Sequence, residues 1–317
     1  MTALPLTARI PAELAGLRLD QALAELFPGY SRSRLQQWIR GGQVWVDAQQ
    51  PRPRDRVLGG ETVRIDMTPD AADGAAAAQD IPLTIVYEDA ALLVVNKPAG
   101  LVVHPAAGNR DGTLLNALLH YAPELASVPR AGLVHRIDKD TTGLLVVARS
   151  LVAHKLLVEQ LQARLFEREY EAVVAGVMTG GSTVEGAMAR HPRDRVRMAV
   201  TATGKPAITH YRVLQRFRAH TQVQVKLETG RTHQIRVHMA HIHHPVIGDP
   251  VYGGRARIPA GCSPALAEAL RHFKRQALHA ARLGLEHPLS GEHMAWEAPL
   301  PADMQALLAV LREDLPA

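Results

Sequence analysis

Apolar residues recur at helical spacing in the first quarter of the chain. LRLDQALAELFP, residues 17–28, carries one apolar stripe, and SRSRLQQWIR, residues 31–40, begins with serines suited to a helix cap and is followed by two glycines. Residues 43–67 then alternate apolar and polar positions over short runs that proline and glycine interrupt. The pattern predicts a small helix-helix-strand module.

Hydrophobic patterning lapses after this module. The segment DAADGAAAAQD, residues 70–80, has small and acidic side chains but no aromatic or aliphatic residue that could anchor it in a core. We interpret it as a linker between a domain at residues 1–69 and a larger domain at residues 81–317.

Both strand and helix periods occur in the larger domain. Strand-like runs lie in residues 81–105, which contain three, and in residues 168–178, 210–230 and 281–301. Helical patterns lie in residues 113–123, 150–166, 263–276 and 302–314, the second with Ser150 as a possible cap. Grouped strands with occasional helices predict an α+β fold with a mixed, mostly antiparallel sheet.

Composition narrows the choice of compartment and partner. The chain has 317 residues, 36 Lys and Arg against 31 Asp and Glu, and a formal charge of +5, which favours a polyanionic partner. Cys262 is the only cysteine, so intrachain disulfides and zinc sites built from cysteine pairs are excluded. The first residues do not resemble a secretory signal and no apolar run is long enough to span a bilayer, so we expect a cytoplasmic protein without a membrane partner.

Two carboxylates stand in the stretch HRIDKDTTGLLVVA, residues 135–148. Asp138 would lie in a loop just before the predicted strand LLVVA, a place suited to a catalytic group, and His135 and Arg136 are cations that could keep it ionised. Asp140, which precedes two threonines and a glycine, fits a turn residue. Local chemistry alone leaves the two aspartates nearly tied.

Histidines cluster between His233 and His244, and a cluster of that density can bind zinc. However, HQIRVH alternates, so in a strand His233 and His238 would point to opposite faces. No acidic residue lies between His233 and His244. We therefore disfavour a metal site, and a metal-dependent hydrolase remains only an alternative.

Arginines concentrate on the second predicted helix, where Arg32, Arg34 and Arg40 could contact phosphates. An ordinary solvated helix would show the same residues. The order of a capped helix, a glycine turn and the strand QVWVD resembles the small RNA-binding module named after a small-subunit ribosomal protein.

Four motifs, in this order, carry a wider resemblance: NKPAGLVVHP (96–105), HRIDKDTTGLLVVA (135–148), REYEAVVAG (168–176) and TGRTHQIRVHMAHIHHPVIGDPVYGG (229–254). With the N-terminal module, the chain resembles the pseudouridine synthases that modify large-subunit ribosomal RNA, and within that family its bacterial D-type branch. The resemblance covers nearly the whole chain.

The resemblance implies a set of site residues. It assigns the catalytic carboxylate to Asp138, with Ile137 where the family usually has leucine, and a catalytic tyrosine to Tyr170, with Arg168 in place of a lysine. The arginine that accompanies the carboxylate lies in GRTHQIR, and we assign it to Arg231 ahead of Arg236. Substrate-binding roles are expected for Lys97, Pro98, His135, Arg136, His233, Arg236, Arg32, Arg34 and Arg40.

The implied reaction detaches uracil from its ribose, rotates it and rejoins it through carbon 5. The carboxylate could act as a nucleophile on the sugar or as a base at the neighbouring ribose carbon. The resemblance implies no cofactor or metal and a flipped target base in ribosomal RNA. We expect the protein to be a monomer, although the sequence leaves the oligomeric state open. A non-catalytic ribosome-assembly factor is the main alternative, although a pure binder has no need of Asp138, Tyr170 and Arg231 together.

Overall fold

The computed structural model describes residues 6–27, 32–66, 77–106, 108–194, 197–255 and 257–314. The chain divides into two compact units, Met1–Ala77 and Ala78–Ala317. The division falls within the segment interpreted as a linker, of which residues 70–76 lie outside the described residues.

The first unit packs two helices against a three-stranded antiparallel sheet. Its elements are β1 (Leu6–Arg9), α1 (Leu19–Leu26), α2 (Arg32–Arg40), β2 (Val44–Val46) and β3 (Thr62–Ile65), with the strand order β1-β3-β2. Leu23, Leu35 and Trp38 lie in its core. The predicted helix-helix-strand order is present, but the pattern missed β1, because that strand is four residues long and has no fully buried side chain.

The second unit is built on a nine-stranded sheet with the order β4-β5-β6-β13-β7-β12-β11-β8, to which β14 adds by pairing with β13. These strands are β4 (Thr84–Glu88), β5 (Leu92–Lys97), β6 (Thr142–Ala148), β7 (Glu167–Ala175), β8 (Ser182–Glu185), β11 (Ile208–Arg216), β12 (His220–Leu227), β13 (Leu278–Glu286) and β14 (His293–Glu297). A separate ribbon pairs β9 (Met188–Arg190) with β10 (Met198–Val200). Pairing is antiparallel except between β6 and β13, which confirms the predicted α+β class.

The described part of the second unit contains five α-helices: α3 (Leu114–Tyr121), α4 (Leu151–Gln162), α5 (Gln234–His241), α6 (Pro264–His272) and α7 (Ala302–Glu313). Three begin at a hydroxyl cap, since Thr113, Ser150 and Ser263 each accept a hydrogen bond from a backbone N–H of the first turn. No helix among the described residues is both long and apolar enough to cross a bilayer.

Strand β6 carries the loop of interest. All seven of its residues are buried, as its continuous apolar run predicts. Gly143 has φ +112°, and a Cβ there would lie 2.2 Å from the carbonyl oxygen of Ala280 in β13. Only glycine therefore lets β6 and β13 approach closely enough to pair.

One prediction of secondary structure is wrong. The third strand-like run of residues 81–105 makes only an isolated bridge at Val102, because the carbonyls of Val102 and Val103 accept hydrogen bonds from Leu114 and Leu115 at the start of α3. HQIRVH, whose alternation was considered only on the assumption of a strand, lies at the start of the helix α5, Gln234–His241.

Candidate active site

Asp138 lies in a tight turn four residues before β6. The Asp138 carbonyl accepts a hydrogen bond from Thr141 N–H at 3.1 Å, so Lys139 and Asp140 form the tip of the turn. The Asp138 side chain is 18% exposed and lines a cavity of about 500 Å³. Asp140 does not line that cavity. The fold thus distinguishes Asp138 from Asp140, which the local sequence could not do.

Arg236, on the first turns of α5, is the cation that contacts Asp138. Its Nη1 donates to Asp138 Oδ2 at 2.9 Å. Its Nε and Nη2 donate to the two oxygens of Asp249 at 2.7 and 2.9 Å, a bidentate pairing that fixes the plane of the guanidinium. The assignment of this role to Arg231 is wrong.

Arg231 lies on the rim of the same cavity. Its Nε donates to the carbonyl of Pro206, 3.2 Å away at the exposed surface. The orientation follows from the start of α5: His233 takes left-handed backbone angles, and Gln234 Oε1 accepts from Arg231 N–H. The helix register therefore turns Arg236 inward.

Asp249 is 2% exposed and is the anchor of this arrangement. Besides Arg236, it accepts hydrogen bonds from the backbone N–H groups of Val251 and Tyr252. Burial alone would raise the pKa of Asp249, but these hydrogen bonds and the charge of Arg236 lower it overall. The pKa of Arg236 is raised by its two carboxylate partners despite its burial. Asp249 and Arg236 are therefore both charged.

His233 is on the other side of the Asp138 carboxylate. Its Nε2 is 3.8 Å from Asp138 Oδ1, and its Nδ1 is 2.9 Å from the hydroxyl of Tyr252. That hydroxyl accepts from Met198 N–H, so it is free to donate to Nδ1, which leaves the proton of a neutral imidazole on Nε2, facing Asp138. Burial lowers the pKa of His233, which favours this neutral form.

His135 was expected to be a cation beside Asp138, and this is wrong. Its Nε2 accepts a hydrogen bond from Val146 N–H at 3.0 Å, which a protonated ring could not do. Burial, with a contribution from the charge of Arg168, lowers the pKa of His135 to about 3. The neutral imidazole instead ties the loop of Asp138 to β6, while Arg136 is exposed on the wall of the cavity.

Lys97 does not line the cavity of Asp138, which corrects its predicted substrate-binding role. It is 1% exposed, and its ammonium donates to the carbonyls of Pro98, Leu101 and Lys139 at 2.7–2.9 Å. It joins the end of β5 to the turn that carries Asp138. Pro98 is exposed and outside the lining of the cavity.

Tyr170 and Arg168 point from the same face of β7 into the cavity. Tyr170 is buried, and this burial raises the pKa of its hydroxyl, so the ring is a neutral, apolar surface beside Asp138. The ring is placed where it could stack on a planar base.

The arginines expected to bind RNA lie in the first unit. Arg32 donates through Nε and Nη2 to the buried carboxylate of Asp20 and is about half exposed. Arg40 is exposed at the end of α2. The side chain of Arg34 lies outside the described residues. Their role in binding RNA stays a prediction.

The histidine cluster is dispersed over the fold. His238 is buried between Thr209 and the carbonyl of Gly186, and His244 pairs with the carbonyl of Ala175, whereas His233 faces Asp138. Among the described residues, no group of three or more His, Cys, Asp or Glu side chains could hold a metal ion.

Sequence reasoning missed Asp249 and Tyr252. Asp249 stands between glycine and proline, a setting that is typical of a turn, and nothing local indicates that it reaches back to α5. Tyr252 binds His233 and lies under the guanidinium of Arg236, whose carbon is 5.1 Å from the ring centroid. The motif that contains both residues was the available signal.

Comparisons with known proteins find matches to both units of the chain. Residues 91–241 match the family described as RNA pseudouridylate synthase, and residues 17–63 match the S4 domain. The chain is 59% identical to ribosomal large subunit pseudouridine synthase D of Pseudomonas aeruginosa over 97% of this chain and 96% of the relative. It is 57% identical to the Escherichia coli K12 protein of the same name over 98% of this chain and 95% of that protein.

Two solved human structures are also similar. The RNA pseudouridylate synthase domain containing 4 protein has a TM-score of 0.58 and 26% identity, covering 72% of this chain and 93% of that chain. The RNA pseudouridylate synthase domain containing 1 protein has a TM-score of 0.55 and 25% identity, covering 79% of this chain and 100% of that chain.

Proposed function

The chain belongs to the RNA pseudouridylate synthase family, and from that premise we propose that it isomerises specific uridines of large-subunit ribosomal RNA to pseudouridine. The relatives named for this activity match nearly the full chain, which supports both the reaction and the class of RNA. The family resemblance inferred from the four motifs is confirmed.

The observation that carries the catalytic proposal is the ion pair of Asp138 with Arg236 inside the cavity. The reaction needs an ionised carboxylate, whether it attacks the ribose or removes a proton from it. Arg236 stabilises that ionised form and, because Asp249 holds its guanidinium in one plane, aims the carboxylate into the cavity. We therefore assign the catalytic role to Asp138 and a positioning role to Arg236.

Access to Asp138 requires the target base to leave its stack. The carboxylate is mostly buried, so a base within a helix could not reach it. A flipped uridine would exchange its lost stacking for the ring of Tyr170 and contacts with Arg136, Arg231 and His233 on the cavity wall. Arg231 thereby keeps a proposed role at the substrate.

The first unit supplies the second part of the proposal. It contains the S4 match, and on α2 Arg40 is exposed, while Arg32 is about half exposed and pairs with Asp20. Guanidinium groups suit the phosphates of structured RNA. We propose that this unit supplies affinity and the second unit chemistry, in a monomer that works in the cytoplasm, where bacterial ribosomal RNA is found. Because the product is an isomer of the substrate, the reaction gains and loses no atoms or electrons overall, and no cofactor is required.

Mapping pseudouridines in ribosomal RNA from cells with and without this protein tests the proposal. We expect the loss of a small number of sites in large-subunit RNA, restored by the wild-type chain but not by Asp138→Asn. An unchanged large-subunit map, or restoration by Asp138→Asn, would contradict it.

A further inference from the structure

Arg168 is a buried cation in the cavity of Asp138. It is 8% exposed, and its Nε has no hydrogen-bond partner among the described residues. Within the part of the chain that the structure describes, no side chain forms an ion pair with it. Burial lowers the pKa of Arg168, but a guanidinium stays protonated in proteins.

The surrounding residues make room for the charge and do not neutralise it. Glu167 and Glu169, its neighbours on β7, pair with Arg282 instead. Gly230 leaves space, since a Cβ at that position would lie 2.6 Å from Arg168 Nη1. A buried, unpaired charge destabilises a protein, so a site that preserves one suits a negative charge that arrives from outside.

The reaction itself creates such a charge. When the C1′–N1 bond breaks, its electron pair leaves with the base, giving a uracil anion delocalised over N1, O2 and O4. The electron pair that carbon 1′ loses is replaced either by a bond from Asp138 or by the electrons released when carbon 2′ loses its proton. Both routes therefore produce the same anion. When C5 bonds to C1′, either the bond from Asp138 breaks or carbon 2′ regains its proton. C5 then loses its proton, and N1 gains one.

We propose that Arg168 is the counter-ion of the detached uracil. This inference rests on the proposed function. Arg236 is already balanced by Asp138 and Asp249, so it has no charge to spare for the base. Arg168 lies two residues from Tyr170 on the same strand face, so a base stacked on the tyrosine would have its carbonyl oxygens near the guanidinium. Donors held at a developing charge lower the barrier because they need no reorganisation.

A leaving-group experiment tests this role. The single-turnover rates of Arg168→Met and Arg168→Lys are compared with that of wild type. The substrate is an RNA with uridine or 5-fluorouridine at one mapped site, and the rate is measured as loss of the target nucleoside. Fluorine stabilises the uracil anion, so the fluorinated base depends less on the cation. We expect Arg168→Met to convert uridine roughly 10- to 100-fold more slowly than wild type. Its loss of rate on 5-fluorouridine should be several-fold smaller. The rate of Arg168→Lys should lie between those of Arg168→Met and wild type.

Stability and affinity provide independent readouts. Because Arg168→Met removes an unpaired buried charge, its melting temperature should equal or exceed that of wild type, and its RNA affinity should be unchanged. Arg282→Met is the matched control: Arg282 lies in β13, pairs with Glu167 and Glu169 and does not line the cavity, so this variant should keep the wild-type rate on both substrates.

Two results would overturn the inference: equal loss on both substrates, which indicates a structural role, or weaker RNA binding with a normal single-turnover rate, which indicates a phosphate contact. Failure of the wild-type protein to convert uridine would instead contradict the proposed function.

Discussion

Arg236→Lys keeps the charge beside Asp138 but removes the geometry that aims it. An ammonium cannot make two parallel bonds to Asp249 and a third to Asp138 in the orientation that a planar guanidinium provides. A hydrogen bond to a charged group contributes about 1.5–3 kcal/mol, so loss of the Asp138 bond alone should slow turnover by roughly 10- to 150-fold. Single-turnover rates at saturating enzyme measure this directly.

Arg231→Lys is the matched control, because Arg231 lines the same cavity but its guanidinium donates to the exposed carbonyl of Pro206. We expect it to change RNA affinity more than the single-turnover rate. The reasoning is refuted if Arg236→Lys retains the wild-type rate while folded, or if Arg231→Lys has the larger effect on that rate.

Three further expectations concern other parts of the chain. Asp249→Asn should reduce turnover without removing any group from the cavity, and a wild-type rate would show that Arg236 needs no anchor. Asp20 has its pKa raised by burial but lowered overall from 3.8 to about 2 by hydrogen bonds from Arg18, Gln36 and Arg32. Ionised Asp20 should therefore stabilise the fold by up to about 2 kcal/mol above pH 4, and this contribution should be lost between pH 4 and pH 2. The free energies of unfolding of wild type and Asp20→Asn should converge in that window, and a constant difference between them would contradict the pairing. Deleting residues 1–78 should weaken RNA binding more than it lowers the melting temperature of the remainder, and unchanged affinity would argue against the role of the first unit.

The local sequence pattern predicted the strand and loop of the site better than its side-chain contacts. The run before Ala148 is continuously apolar, so β6 and the loop before it were predictable. The choice between Arg231 and Arg236 depends on where α5 starts, and that is set by a left-handed His233 and by the Gln234 side chain, neither of which leaves a periodic signal.

Long-range partners were the least predictable part. Asp249 resembles a turn residue, Lys97 a substrate contact and His135 a cation, until the fold brings each to a partner distant in sequence. A buried hydrogen bond between such residues is a property of the tertiary structure, and local periodicity does not encode it.

The central claim is that Asp138, and not Asp140, performs the chemistry. Release of tritium from carbon-5-labelled uridine in large-subunit ribosomal RNA measures the reaction, because the proton on carbon 5 is lost when the base rejoins the ribose. Asp138→Asn should abolish release, whereas Asp140→Asn, at the tip of the same turn but outside the cavity, should keep measurable activity. Near-normal release by Asp138→Asn, or complete loss in a folded Asp140→Asn protein, would contradict the account.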